Sequence, residues 1–265
     1  SQVKVKDGST VLATTNADGS GAWTVDISLP IGTTGVTATA TDAAGNESAA
    51  SSPLSITVDA TLPSAPAGLD LASADDTGSS DSDDVTNLTS GLTISGTAEA
   101  NTTIKVKEDT TVLATTTANG NGDWSVDISL SEGVTDVIAT ATDSAGNESL
   151  ASDALTIIVD STAPTGTITI DGGAAYTTTE SVTLTLSASD ASAGVWQMRF
   201  SNDNSVWSDW EAYGTSKSWT LTSGDGLKTV YVRYSDNAGN SSGSITDTIT
   251  LDTAAPNAPV VSGVS

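Results

Sequence analysis

A block of this sequence returns 101 residues later with no insertion between the copies. Trp23 recurs as Trp124. Asp42-Ala43-Ala44-Gly45-Asn46-Glu47-Ser48 recurs as Asp143-Ser144-Ala145-Gly146-Asn147-Glu148-Ser149, and Asp59 as Asp160. A third, diverged copy ends in Asp236-Asn237-Ala238-Gly239-Asn240 and Asp252. A fixed period of this length means a string of similar domains, each with its own core and each meeting the next at an equivalent joint. The copies predict four segments. Residues 1–59 are a repeat whose first two strands are absent, because Ser1 aligns with Thr102. Residues 60–160 are a complete repeat, and 161–252 a diverged, aromatic-rich one. Residues 253–265 are a linker and the start of a further repeat, since Ala258-Pro259 matches Ala65-Pro66. The chain therefore reads as part of something longer.

Thr, Ser, Ala, Asp, Val and Gly dominate, which favours strands and turns over helices. In the complete repeat, strands are expected at Ala67–Leu71, Leu92–Ala98, Ile104–Glu108, Val112–Thr117, Trp124–Leu130, Val134–Thr142 and Leu155–Asp160. The run Trp-Ser-Val-Asp-Ile-Ser-Leu alternates apolar and polar residues, as a strand with one buried face does. Asn119-Gly120-Asn121-Gly122 is a turn signal. The third repeat offers Gly166–Asp171, Ser181–Ser189, Trp196–Ser201, Ser218–Thr222, Lys228–Ser235 and Ile245–Leu251. Short strands with regular turns predict an all-β fold: tandem immunoglobulin-like β-sandwich domains of about seven strands each, Greek-key, end to end. The joints Asp59-Ala60-Thr61-Leu62-Pro63 and Asp160-Ser161-Thr162-Ala163-Pro164 are short and proline-stiffened.

The net charge is −25, from 33 acids against 8 bases. Nucleic-acid binding needs a basic footprint, so that class is excluded. There is no apolar run near membrane-spanning length, hence no membrane insertion. With no cysteine and no histidine, disulfide stabilisation and the usual Ser-His and Cys-His catalytic pairs are unavailable. The acids sit in repeated turns, and a catalytic site is not usually copied at every joint. The expectation is a protein that is not an enzyme.

The Asp-x-Ala-Gly-Asn turn in three copies, the Asp-x-Thr-x-Pro joints, Ile94-Ser95-Gly96-Thr97-Ala98-Glu99, and the stretch Asp75-Asp76-Thr77-Gly78-Ser79-Ser80-Asp81-Ser82-Asp83-Asp84 resemble the bacterial immunoglobulin-like repeats of giant biofilm-type surface adhesins exported by type I secretion. The resemblance covers nearly the whole chain. It implies an extracellular extender on the bacterial cell surface that projects a distal binding domain, with calcium stiffening the joints. The third repeat departs from the pattern: it lacks the acidic first loop and has an aromatic-rich middle.

Tracing the strands up and down places carboxylates at shared poles. Asp59, Glu99 and Asp143 converge at the first joint, and Asp160, Asp190 and Asp236 at the second, with Asn147 and Asn240 able to add amide oxygens. Carboxylates at close range repel unless protons or a cation intervene. An oxygen-only ligand set suits Ca2+, whereas zinc or copper would want His or Cys. The alternative is that each Asp caps its own turn and stays solvated. A second candidate set is Asp75, Asp76, Asp81, Asp83 and Asp84. It departs from the EF-hand pattern, having neither the central Gly nor the terminal Glu, and the alternative there is a solvated, self-repelling loop.

Trp23 and Trp124 open alternating strands and are expected in cores. Trp196, Trp207, Trp210, Trp219 and Tyr213 exceed the need of one small core. Ser201–Trp210 resembles a strand–turn–strand element of bacterial immunoglobulin-like domains in which the Trp packs locally. As an alternative, Trp196, Trp207, Trp210 and Tyr213 form a platform for a sugar ring. The expected partners are calcium, the neighbouring repeats of the chain and a surface glycan. The rival functions are a glycan- or surface-polymer-binding module and an accessory region of a secreted polysaccharide-degrading enzyme.

Overall fold

The structure, a computed structural model, describes residues 1–259. It forms two compact units, Ser1–Ser64 with Thr142–Ser149, and Ala65–Ala141 with the residues from Leu150 onward. Among the described residues the only helical element is a single 3₁₀ turn. Residues 260–265 of the linker and further repeat expected at 253–265 lie outside the described residues.

Unit 1 is one antiparallel sheet of β1 (Gln2–Asp7), β2 (Thr10–Asn16), β3 (Gly32–Thr41) and β4 (Leu54–Val58), in the order β2-β1-β3-β4. Val3, Val5 and Val36 are its buried aliphatic side chains among the described residues. Residues 22–30 form no strand, and Trp23 is 42% exposed. This corrects the expectation that Trp23 is a core residue. A strand needs a hydrogen-bonding neighbour and its inner face needs an opposing sheet, and unit 1 offers neither to this segment.

Unit 2 begins with a full sandwich: β5 (Ala67–Leu71), β6 (Val85–Thr86), β7 (Ser90–Thr97), β8 (Thr103–Glu108), β9 (Thr111–Thr117), β10 (Asp123–Ser129), β11 (Gly133–Thr142) and β12 (Leu155–Val159). One sheet is β10-β7-β5 and the other β6-β12-β11-β8-β9. Leu92, Ile94, Trp124 and Ile128 from the first meet Ile104, Val106, Val137 and Ile157 from the second. Each such aliphatic side chain contributes about 1.5–3 kcal/mol when fully buried. Trp124 lies opposite Gly96 in the β10–β7 ladder. A Cβ on Gly96 would sit 2.7 Å from the indole, so the absent side chain is what admits the ring.

The second sandwich of unit 2 contains β13 (Thr165–Ile170), the 3₁₀ turn Asp171–Gly173, β14 (Tyr176–Thr177), β15 (Ser181–Ser189), β16 (Val195–Ser201), β17 (Glu211–Ala212), β18 (Ser216–Thr220), β19 (Gly226–Asp236) and β20 (Ile245–Leu251). Its sheets are β13-β15-β18 and β14-β20-β19-β16-β17. Phe200, Tyr234, Leu184 and Ile249 are fully buried, and the Tyr234 hydroxyl donates to the Thr167 carbonyl at 2.8 Å. The short strands β6 and β14 pair parallel with β12 and β20. In each sandwich the chain therefore starts in one sheet and crosses to the other. In the first of these sandwiches the crossing is made by the acidic loop after β5, in the second by the 3₁₀ turn. Two-residue strands carry too few positions for alternation to reveal, and the sequence reading did not contain them.

Candidate metal centre

The site of interest in unit 2 is built from three strand ends. β12 runs into Asp160, whose N–H donates to the Thr86 carbonyl at 2.8 Å, so β6 pins it. Its Oδ1 accepts the Thr162 N–H at 3.0 Å, which turns the chain into the joint. Its Oδ2 accepts the Ala193 N–H at 3.0 Å. β15 gives way to Asp190, whose Oδ1 gathers the N–H groups of Ser192, Ala193 and Gly194 at 3.0, 3.0 and 3.1 Å. β19 ends at Asp236, whose Oδ1 accepts the Asn240 N–H at 2.8 Å. Asn240 then closes the set: its Nδ2 donates to the Asp160 carbonyl at 2.7 Å and to Asp236 Oδ2 at 3.0 Å.

The result is that one carboxylate oxygen from each of Asp160, Asp190 and Asp236 lies within 4.8 Å of the other two. Asp160 and Asp236 are fully buried and Asp190 half-buried. Burial, and next the charge of Asp190, push the Asp160 and Asp236 carboxyls above the usual carboxylate range, against the lowering effect of their N–H partners. Charge is thus being held where it is least welcome. Each of the three carboxylates contributes one converging oxygen, and the set contains no nitrogen or sulfur donor. The donor chemistry fits a hard divalent cation.

Glu132 stands at the rim of this site. Its carboxylate accepts the Ser161 and Thr162 hydroxyls at 2.7 and 2.9 Å and feels the Asp190 charge. Sequence reasoning missed it: its counterpart one repeat earlier is Ile31, so the period carries no signal there.

In unit 1 the corresponding turn adopts the same clamp. Asp143 Oδ1 accepts the Asn147 N–H at 2.9 Å, and Asn147 Nδ2 donates to Asp143 Oδ2 at 2.8 Å and to the Asp59 carbonyl at 3.1 Å. Asp59 Oδ1 accepts the Thr61 N–H at 2.9 Å. Glu99 is exposed, and its carbonyl accepts the Thr102 hydroxyl at 2.7 Å. Asp160, Asp190 and Asp236 are the one close acidic trio among the described residues, and Asp59, Glu99 and Asp143 are outside it. Both Asn147 and Asn240 act through their amide nitrogens, as clamps on the preceding strand end.

In the acidic loop, Asp75 braces strands: its Oδ2 accepts the Thr93 N–H at 2.9 Å and its carbonyl the Thr86 hydroxyl at 2.6 Å. Asp81 and Asp83 are exposed, Asp84 half-buried and Asp76 buried.

The aromatic residues are absorbed locally. The Arg199 guanidinium lies 4.5 Å from the Trp210 ring centre and 5.1 Å from that of Trp207, and Arg233 lies 4.5 Å from Trp207. Tyr213 accepts the Ala188 N–H at its hydroxyl (2.9 Å) and meets Tyr234 edge-on. Trp196 is half-buried, and its carbonyl accepts the Tyr213 N–H at 2.9 Å. Trp219 donates to Asn202 Oδ1 at 2.9 Å. A surface hollow of about 390 Å³ opens between Trp207, Trp219, Asn202, Asp203 and Val206. The Arg–Trp stack was not legible, because the two arginines come from strands far apart in sequence that pair in β16–β19.

No curated protein matches the sequence. Several solved structures are similar at low identity. The fibronectin(III)-like modules of Clostridium thermocellum CbhA are 15% identical, with 69% of this chain and 94% of that chain covered and a TM-score of 0.40. A tetra-tandem repeat in the extending region of a large adhesion protein is 21% identical over 95% of this chain and 67% of that one, with a TM-score of 0.32. The FN1–FN3 domains of chicken CNTN1 are 13% identical over 94% and 90%, with a TM-score of 0.33. The profile of the bacterial Ig-like domain matches residues 1–60 and again 62–161. Two adjacent matches over more than half of the sequence, on a chain of β-sandwiches with a repeated Asp-x-Ala-Gly-Asn turn, mean that this chain belongs to the bacterial Ig-like domain family.

Proposed function

We propose that this chain is a non-catalytic spacer of an extracellular bacterial surface adhesin, and that a calcium ion held by Asp160, Asp190 and Asp236 stiffens the joint inside unit 2. The observation that carries the reading is the trio itself. Asp160 ends the last strand of one sandwich, Asp190 and Asp236 end strands of the next, and the two deepest are fully buried.

The chain's own residues do the positioning. Asn240 ties the turn of one sandwich to the strand end of the other, and Ala193 donates to both Asp160 and Asp190. A bound divalent cation supplies the positive charge that three converging carboxylates lack. Any ligand with higher affinity for the ordered joint than for the bent one shifts the population toward order by that difference. Millimolar extracellular calcium suffices for a weak site. No helix among the described residues is long and apolar enough to cross a membrane. Small-angle scattering of the whole chain in calcium and in chelator tests the reading. The expected result is a narrower distribution of interdomain distances with calcium, and identical profiles would refute it.

A second reading, recognition of a surface glycan, draws support from the hollow beside Trp207 and Trp219, whose volume is within the range of small-ligand sites. Its test is quenching of tryptophan fluorescence on titration with oligosaccharides.

A further inference from the structure

We propose that the paired side chains of Arg199 and Arg233 bind the carboxylate of an acidic saccharide, a uronate-bearing glycan, whose sugar ring lies in the adjoining hollow beside Trp207. The inference rests on the glycan reading above and names the class of sugar that this surface takes.

Arg199 and Arg233 are the only arginines in the sequence, and the sheet sets them side by side. Arg199 on β16 stands directly opposite Arg233 on β19 in the antiparallel ladder. Like charges in that position destabilise a sheet. An acid beside them would relieve the repulsion, and the chain has 33 acids. None is used: neither arginine makes an ion pair among the described residues. Their same-face neighbours along the two strands, Gln197, Ser201, Tyr231 and Ser235, are uncharged. What holds the guanidiniums is aromatic. Trp207 and Trp210 cover Arg199, and Trp207 also covers Arg233. Burial, and next the Arg233 charge, push the Arg199 guanidinium below its ordinary value, with no carboxylate to offset them.

The donors of the pair are left open. Arg233 Nε donates to Ser244 Oγ at 3.1 Å. Arg199 Nε is buried and has no acceptor, which is costly. No other N–H of either guanidinium has a protein partner among the described residues. A ring stacked on a guanidinium takes its face and leaves its in-plane N–H edge free. That edge matches a carboxylate in bidentate form. Trp207, the ring shared by both arginines, also lines the hollow of about 390 Å³ together with Trp219, Asn202 and Asp203. A pyranose has a C–H-rich face and a rim of hydroxyls, which suits an aromatic wall edged by polar groups. The N–H groups of Val206 and Ser205 hold the Asp203 carboxyl down at about 2. Asp203 therefore stays an acceptor for sugar hydroxyls, and the acid group of the ligand belongs with the arginines. A neutral sugar leaves the arginines unmatched, and a bare anion leaves the aromatic wall unused.

The test is titration calorimetry on the whole chain in chelator, so that calcium cannot bridge the ligand's acids to the chain's own. Salt at about 0.15 M screens the chain's negative field beyond about 8 Å. The probes are an oligogalacturonate, the same oligosaccharide with its carboxyls reduced to alcohols, and acetate. The oligogalacturonate is expected to bind at least tenfold more tightly than either of the others. Arg199→Gln and Arg233→Gln are each expected to weaken it at least tenfold, so that its preference over the reduced sugar disappears. Arg233→Lys keeps the charge but not the planar edge; it is expected to weaken binding likewise and serves if the glutamine variants fail to fold. Equal affinity for the acidic and the reduced sugar overturns this inference and leaves the glycan reading standing, whereas no binding of either sugar ends both. Acetate that binds as tightly as the oligogalacturonate overturns the saccharide assignment. Undiminished binding in the variants, with or without a lower melting temperature, overturns the role of the arginines and reduces the stack to packing.

Discussion

Calcium is expected to raise the melting temperature of unit 2, and Asp190→Asn is expected to remove the joint's share of that rise. Asp190 is the position to alter because its Oδ1 alone accepts the three N–H groups of Ser192, Ala193 and Gly194. Asparagine keeps that oxygen and nearly the same shape. What is lost is the charge that acts on Asp160 and Asp236. Two like charges at the 4.8 Å limit of the trio repel by about 3.5 kcal/mol at an effective dielectric of about 20, and by about 0.9 kcal/mol in water. Asp190 is half-exposed, so the repulsion lies between these values. The variant should therefore be as stable as the parent, or more so, in chelator. In calcium the order reverses. A site with Kd between about 10⁻⁴ and 10⁻³ M adds about 1.4–2.7 kcal/mol at about 10 mM free ion. At about 2–4 °C per kcal/mol for a unit of this size, that is a rise of about 3–11 °C. Differential scanning calorimetry of the whole chain in calcium and in chelator measures it. Equal gains in the parent and in Asp190→Asn would refute the reasoning.

Other outcomes follow from the same geometry. Asp160 and Asp236 have carboxyl pKa values raised above 3.8 in the calcium-free fold. The penalty for ionising them is absent below 3.8, builds between 3.8 and the raised values and is complete above them, and protons compete with the cation over that window, so calcium affinity should fall as pH drops from 7 into it, read by titration calorimetry at several pH values. Gly96→Ala places a Cβ 2.7 Å from the Trp124 ring and should cost about 1–3 kcal/mol by overpacking, seen as a lower denaturant midpoint. Gly78→Ala meets the Asn237 carbonyl and a backbone at φ 97°; it should speed amide exchange at Ser79 while Gly120→Ala, in open space and without a left-handed backbone, does not. Tyr234→Phe removes the bond to the Thr167 carbonyl and should cost about 1 kcal/mol in chemical denaturation.

The strands of both sandwiches in unit 2 were readable because alternation and turn chemistry are local. Leu92 and Ile94 point inward from β7 for the same reason that Thr93 points out. The same alternation misled at Trp23, which carries the pattern of Trp124 but lacks the neighbouring strand and opposing sheet that bury it. Asp160, Asp190 and Asp236 were readable as a set because each closes a strand whose direction the strand count gives. Glu132 was not, being a rim residue with no repeat partner. Nor was the seating of residues 77–79 on the Asp236–Asn240 turn, which depends on where the crossing loop travels between its strands.

By itself the sequence determined the period, the all-β class, the turn at the end of each unit and the oxygen-only chemistry available to any ion. Those properties reside in adjacent residues: pleat alternation, Asp and Gly in turns, and the absence of His and Cys. Only the tertiary structure decided which acids share space, which of them lose water, and which loop leans on which turn. Those outcomes come from segments distant in sequence, brought together by sheet pairing and strand crossing, and the energy of a buried charge is set by what surrounds it in space.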